Sequence, residues 1–400
     1  MKNYIISGIF IFIPLLVFNQ VPQWKIYNLS NSQIPWNKIK SMDFDKNGHL
    51  WAGYDNSGNV PHLTEFDGDT FKNYIYDAWV NAVEADNDGD IWFTTSNMEL
   101  YKYNGNFQIY TNALISSPWM EPLFVDKTKN VWIADKNNYF ILKFNGSAWS
   151  KYDYTNSVVK NTIFLCLSGF RYDLMIGTKD SGMIQLSANQ SKVYDKSNSP
   201  LPSNSVYAMK EGNGDTLWFV CPGNLGYFTG TNWNFYPKSN LASANSIQLD
   251  SKGNIWISNP DFTNGGVFMF DRKNWTVYNK SNSPLPTNQL LDLKIDKNDN
   301  IWVATWGSGL AKLTPYTSSV SEVKPLTLKC TTTEKNLNLF LPEIDVYHIE
   351  IISVSGKTLY LNPEAFGDYI SIDISGFPSG VYIVRVANDQ SAAYSKILKP

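Results

Sequence analysis

Few residues in this sequence are of the types that carry general chemistry, and their spacing narrows the choice further. Histidine occurs three times, as His49, His62 and His348. A Ser-His-Asp relay needs a histidine held between a serine and an acid, and three scattered histidines supply no such set. Two carboxylates can hydrolyse a glycoside, but no local motif marks a pair. The run Asp86-Asn87-Asp88-Gly89-Asp90 has the beginning of a calcium loop without its remaining spacing or distal Glu. Comparable runs place Lys127, Lys129 and Lys252 there, which would repel a cation, so a hairpin turn is expected. Cys166, Cys221 and Cys330 lie far apart and form no C-x-x-C pair. They read as small buried hydrophobes rather than as a disulfide or zinc framework. Neither a metal site nor a cofactor is expected. Abundant instead are flat apolar rings: aromatic residues make up 15%, with 14 Trp. Such rings either fill a core or offer faces on which a ligand can stack.

A repeat positions most of these rings. The phrase is an Asp, a polar turn often containing Gly, an apolar residue and then Trp. It occurs as Asp45–Trp51, Asp86–Trp92, Asp126–Trp132, Asp250–Trp256 and Asp296–Trp302, always with a six-residue offset. Glu211–Trp218 is a looser copy, and Met175 fills the Trp slot of a degenerate one. The seven anchors stand 41, 40, 43, 43, 38 and 46 residues apart, a period that fits a four-stranded propeller blade. A second phrase follows each of six anchors and runs from an aromatic or Leu to a Tyr, as in Phe66 to Tyr74 and Phe270 to Tyr278. The seventh copy stands at the front of the chain, Trp24-Lys25-Ile26-Tyr27. The expected fold is all-β: a seven-bladed β-propeller over 21–314, closed by an N-terminal outer strand beside Gly309–Leu313. Closure removes the unpaired edges that an open ring would leave.

The flanks read differently. Lys2 followed by the apolar run Tyr4 to Phe18 suits a signal peptide over 1–20, cut near Asn19 or Gln20. Its 15 residues are short of the roughly 20 that a membrane helix needs, so no integral span is expected in the mature chain. A Ser/Thr/Pro/Lys-rich stretch, 315–326, reads as a linker, and alternating apolar residues over 327–400 as a small β-sandwich. Net charge is −3 with basic residues scattered, which excludes the basic stripe of a nucleic-acid binder.

Two stretches, "KSNSPLPSNSVYAMKEGNGDTLWFV" and "KSNSPLPTNQLLDLKIDKNDNIWVATWGSGLAKL", resemble the two-component-regulator propeller repeat. That family's propellers often form extracellular sensor regions of membrane histidine kinases, several of which recognise polysaccharide fragments. Here no kinase follows the propeller, and signal transduction within the same polypeptide is not expected. The C-terminal phrases Gly356-Lys357, Ile372-Asp373-Ile374-Ser375, Gly380-Val381-Tyr382 and Lys396-Ile397-Leu398-Lys399 resemble the sorting domain of type IX secretion in Bacteroidetes. The P-N-P phrase that commonly opens that domain is absent. This resemblance implies export by the type IX machinery, with the protein secreted or held on the outer surface. Streptogramin lyases use a similar propeller with histidines and acids around its axis, a set this sequence does not supply.

Strand alternation sends the loops between the second and third strands to the same end of the ring as the connections between blades. Trp36, Trp79 and Trp119 fall in those connections, and Trp306, Tyr54, Tyr139 and Phe262 in or beside those loops. Asp135, Asp180 and Asp261 lie nearby as hydrogen-bond acceptors. Grouped rings and acids at one end suggest a stacking platform for sugar rings. The expectation is a secreted or surface-exposed, non-catalytic module that binds a polysaccharide or a cell-surface partner. A propeller glycoside hydrolase or polysaccharide lyase using carboxylates at the loop end is the alternative.

Overall fold

The six-residue offset between Asp and Trp has a hydrogen-bonding cause. In a computed structural model of the chain, the structure describes residues 16–20, 22–55, 60–74, 78–188, 190–315, 318–322, 324–326, 328–354, 357–388 and 391–400. Asp126 accepts the backbone N–H groups of Thr128 and Asn130 on Oδ1, which closes the turn between the first two strands of its blade. Its Oδ2 accepts the Trp132 indole N–H at 2.8 Å. The same brace joins Trp92 to Asp86 at 3.0 Å, Trp256 to Asp250 at 3.0 Å and Trp302 to Asp296 at 2.9 Å. One carboxylate thus shapes a hairpin and fixes a large ring. The Tyr of the second phrase completes the unit by lying against that ring. Tyr74 is 5.5 Å from Trp51, Tyr278 6.2 Å from Trp256, and Tyr27 5.9 Å from Trp302, each nearly parallel.

Each repeat becomes a four-stranded antiparallel sheet, strands a to d: blade 1 over 39–74, then 80–110, 120–152, 164–194, 208–237 and 246–278. Blade 7 takes three strands from 290–314 and its outer strand from Gln23–Tyr27, in register Trp24↔Leu313 and Tyr27↔Leu310. The expected closure is therefore present. Strand a of each blade lies beside strand a of the next, and that of blade 7 beside that of blade 1. Seven buried clusters fill the seven interfaces; the one between blades 7 and 1 holds Tyr27, Ile39, Met42, Phe66 and Trp302. Met175, in the degenerate slot, is fully buried between blades 4 and 5. Cys166 and Cys221 are buried there too, and burial pushes the Cys221 thiol up to about 12.

Residues 22–316 form one compact unit, and residues 1–21 with 317–400 a second. In the second, Ser318–Glu322, inside the stretch read as a linker, is a strand paired with Leu16–Gln20. Positions 1–15 of the expected signal peptide, and Gly356, lie outside the described residues. The halves of the small β-domain belong to one sheet. Its long strand Asn336–Ser353 pairs with Lys329–Thr332, with Thr358–Asp373 and with Gly380–Ala387. Its core includes Leu337, Leu339, Tyr347, Ile349 and Val384. Among the described residues no helix is long and apolar enough to cross a membrane.

Candidate functional site

Backbone bonds tie the blade-to-blade connections to the b–c loops at one end of the propeller. Ser96 N–H donates to the Trp79 carbonyl at 2.9 Å, Trp306 N–H to Gln289 at 3.0 Å, and Gly309 N–H to Asn37 at 2.8 Å. Trp36, Trp79, Trp119 and Trp306 therefore share that end, as read from the repeat phase. They also fall on one arc, the connections 7-to-1, 1-to-2 and 2-to-3 together with the b–c loop of blade 7. Trp306 is 53% exposed, Trp119 40% and Trp36 39%, while Trp79 is half-buried with its ring 6.3 Å from that of Trp119. Phe262, on blade 6, is exposed as well.

The remaining sequence candidates do other work. Tyr54 is fully buried in the cluster between blades 7 and 1, and burial pushes its phenol pKa up, so it is no surface platform. Tyr139 is half-buried with a φ of 54° and packs against the core between blades 3 and 4. The three acids hold their own loops. Asp135 accepts the N–H groups of Asn137 and Asn138, and Asp261 those of Thr263 and Asn264. Asp180 accepts the hydroxyls of Thr162 and Ser181. One oxygen of each carboxylate, Oδ1, is thus engaged in shaping its own loop.

The polar members of the arc come instead from lysines that the sequence reading passed over. Lys38 stands 3.8 Å from the centre of the Trp306 ring and pairs with Asp55 at 2.9 Å. Lys40 lies 5.3 Å from the Trp119 ring, donates to Asn81 at 3.0 Å and pairs with Glu121 at 3.1 Å. Lys136 approaches Glu121 from blade 3 at 3.2 Å. Burial alone would raise the Glu121 carboxyl; the two ammonium groups outweigh it and hold its pKa below the usual range. The sequence signal was present in "NKIKSMDF", where Lys38 and Lys40 interrupt an otherwise apolar start to a core strand.

Deeper along the a strands, Lys294 meets Asp43 at 3.2 Å and Glu84 at 3.1 Å, and Asp292 accepts the Met42 N–H at 3.0 Å. Burial raises Glu84 despite its lysine. A cavity of about 390 Å³ opens at the far, a–b end, lined among others by Glu84, Phe124, Ser168, Lys210 and Glu211. The acidic run at 86–90 is a hairpin turn: Asp86 accepts the N–H groups of Asp88 and Asp90, Lys129 holds Asp88, and Lys102 holds Asp90 at 2.7 Å. His62 is buried, and burial lowers its pKa away from the charged form.

Comparison with known proteins supports this architecture. The solved virginiamycin B lyase of Staphylococcus aureus is 16% identical with a TM-score of 0.60, covering 74% of this chain and 99% of its own. The extracellular domain of a hybrid two component system of B. thetaiotaomicron is 17% identical, TM-score 0.60, covering 94% of this chain and 57% of that one. PorZ, a surface component of the type-IX secretion system of Porphyromonas gingivalis, is 15% identical, TM-score 0.57, with 90% and 59% covered. At these identities the likeness is one of fold. No curated protein matches in sequence. Residues 332–399 match the family model described as the secretion system C-terminal sorting domain. The chain is a seven-bladed propeller whose C-terminal residues are a type IX secretion sorting domain, which directs it to the cell surface or beyond.

Proposed function

We propose that the exported propeller is a non-catalytic binding module that recognises a polysaccharide or a glycan-bearing cell-surface partner on the arc of blades 7, 1, 2 and 3. What carries the reading is the grouping of Trp36, Trp79, Trp119 and Trp306 on that arc, three of them exposed. An indole face stacks on the C–H face of a pyranose and excludes water from it, which suits neutral sugar rings. Lys38 and Lys40, drawn to the same rings, add donors for sugar hydroxyls or for an acidic substituent. Asp135, Asp180 and Asp261 play no part in this reading, because each already anchors a loop.

The test is a glycan array with the full chain and with a Trp119→Ala/Trp306→Ala double variant. The proposal expects a bound glycan that the wild type does not cleave, with affinity falling about 10- to 100-fold in the variant, as for stacking residues worth roughly 1–3 kcal/mol. Unchanged binding by the variant would remove the arc as the site. Release of shortened or unsaturated sugars would favour the carboxylate enzyme instead.

A further inference from the structure

Blade 1 departs from the repeat twice, and the two departures meet. Four residues after the turn Asp, blades 3, 6 and 7 carry Asn130, Asn254 and Asn300, each donating its side-chain N–H to the Asp Oδ2 at 2.8 Å. Blade 1 has His49 in that slot. Opposite the anchor Trp on strand c, blades 2, 3 and 7 carry Lys102, Lys143 and Lys312, where blade 1 has Glu65. His49 Nδ1 turns to Glu65 Oε1 at 2.7 Å and lies 3.7 Å from Asp45 Oδ2. That Oδ2 lacks the amide donor of blades 3, 6 and 7, and its indole bond from Trp51, at 3.3 Å, is longer than the 2.8–3.0 Å of blades 2, 3, 6 and 7.

We infer that Asp45, His49 and Glu65 form a binding site for a divalent transition-metal ion such as zinc. One imidazole nitrogen and two carboxylate oxygens lie within 4.8 Å of one another. This donor set suits a borderline cation. Bonds of about 2.1 Å in a tetrahedron separate ligand atoms by roughly 3.4 Å, a spacing that the 2.7 and 3.7 Å approaches bracket. Small side-chain movements admit the ion once Nδ1 is free of its proton. The outer contacts are in place. Asp45 Oδ1 is fixed by the N–H groups of Asn47 and His49, and Glu65 Oε2 accepts the Tyr74 hydroxyl at 2.8 Å. The His49 side chain is 31% exposed, which leaves the fourth position open to water or to a ligand atom. A charge-swapped copy of the Asp90–Lys102 pair of blade 2 would need only His49 and Glu65; the convergence of Asp45 Oδ2 on the same imidazole nitrogen is what adds the third donor that a cation needs.

The experiment is titration of the chelator-treated full chain with zinc chloride by calorimetry, and with cobalt chloride by visible absorption. One equivalent is expected to bind, with the intense visible bands of a four- or five-coordinate cobalt site. His49→Asn, which installs the residue of blades 3, 6 and 7, should keep the wild-type melting temperature and lose about 10- to 100-fold in metal affinity together with those bands. His348→Asn, in the C-terminal unit, should leave metal binding unchanged. Absence of stoichiometric binding, binding that survives His49→Asn, or binding abolished by His348→Asn each overturns the assignment.

Discussion

At the scale of single residues, the same carboxylate chemistry serves turns in one place and charge in another. Glu121 is the clearest case, because its side chain is only 19% exposed and is held by Lys40 and Lys136. A carboxyl whose folded pKa lies below its unfolded value stabilises the fold fully above the unfolded value, and loses that contribution as pH falls through the folded one. The wild type should therefore lose stability steadily between about pH 5 and pH 3, while Glu121→Gln shows a flatter dependence there. Near pH 7 the variant removes the charged partner of the buried Lys40 ammonium and of Lys136, and should be about 2 kcal/mol less stable. Chemical denaturation across pH reads both effects. Equal slopes for the two proteins would mean that another acid governs the acid limb.

The strand and the blade are the scale at which the sequence was most legible. Seven anchors at a near-constant interval announced seven sheets, and Trp24–Tyr27 at the wrong end of the chain announced the closure, because a blade needs its outer Tyr against its own Trp. Even Met175 could be placed, since an apolar side chain of that size fills the same wedge. The loop acids have a turn-shaping role that the residue types alone did not announce. Whether Asp135 faces a ligand or its own backbone depends on the turn dihedrals, which the residue type alone does not give. Lys40 was missed because a lysine near the start of a strand ordinarily points to solvent, whereas here Glu121 and Asn81 hold it inward. Closure itself makes a prediction at Gly309. Its φ is +85°, and a Cβ there would stand 2.1 Å from the Tyr27 carbonyl oxygen, across the closing strand pair. Gly309→Ala should cost about 2 kcal/mol or more and speed amide exchange in 310–314 beyond that in other c strands. Gly307→Ala, with nothing near its Cβ, is the control expected to change neither. Equal exchange in both variants would show that the 23–27 strand does not secure the ring.

For the whole molecule, the propeller, proposed above as the binding module, and the sorting domain fall in different compact units. The propeller draws its closing strand from 23–27, and among the described residues its seven buried clusters are built from residues of the 22–316 unit. That sheet has its own core around Leu339, Tyr347, Ile349 and Val384, a cluster distinct from the seven. A chain ending at Tyr316 should then keep the cooperative unfolding of the propeller, with a denaturation midpoint within experimental error of that in the full chain. It should also bind the same glycans on the Trp306 arc. Lacking the sorting domain at 332–399, it should fail to reach the cell surface or the medium. Protease accessibility on intact cells and fractionation against the full chain read that outcome directly. Loss of propeller folding in the truncated chain would instead mean that the C-terminal unit supports the ring, and a truncated chain still found on the surface would mean that export is read from the propeller.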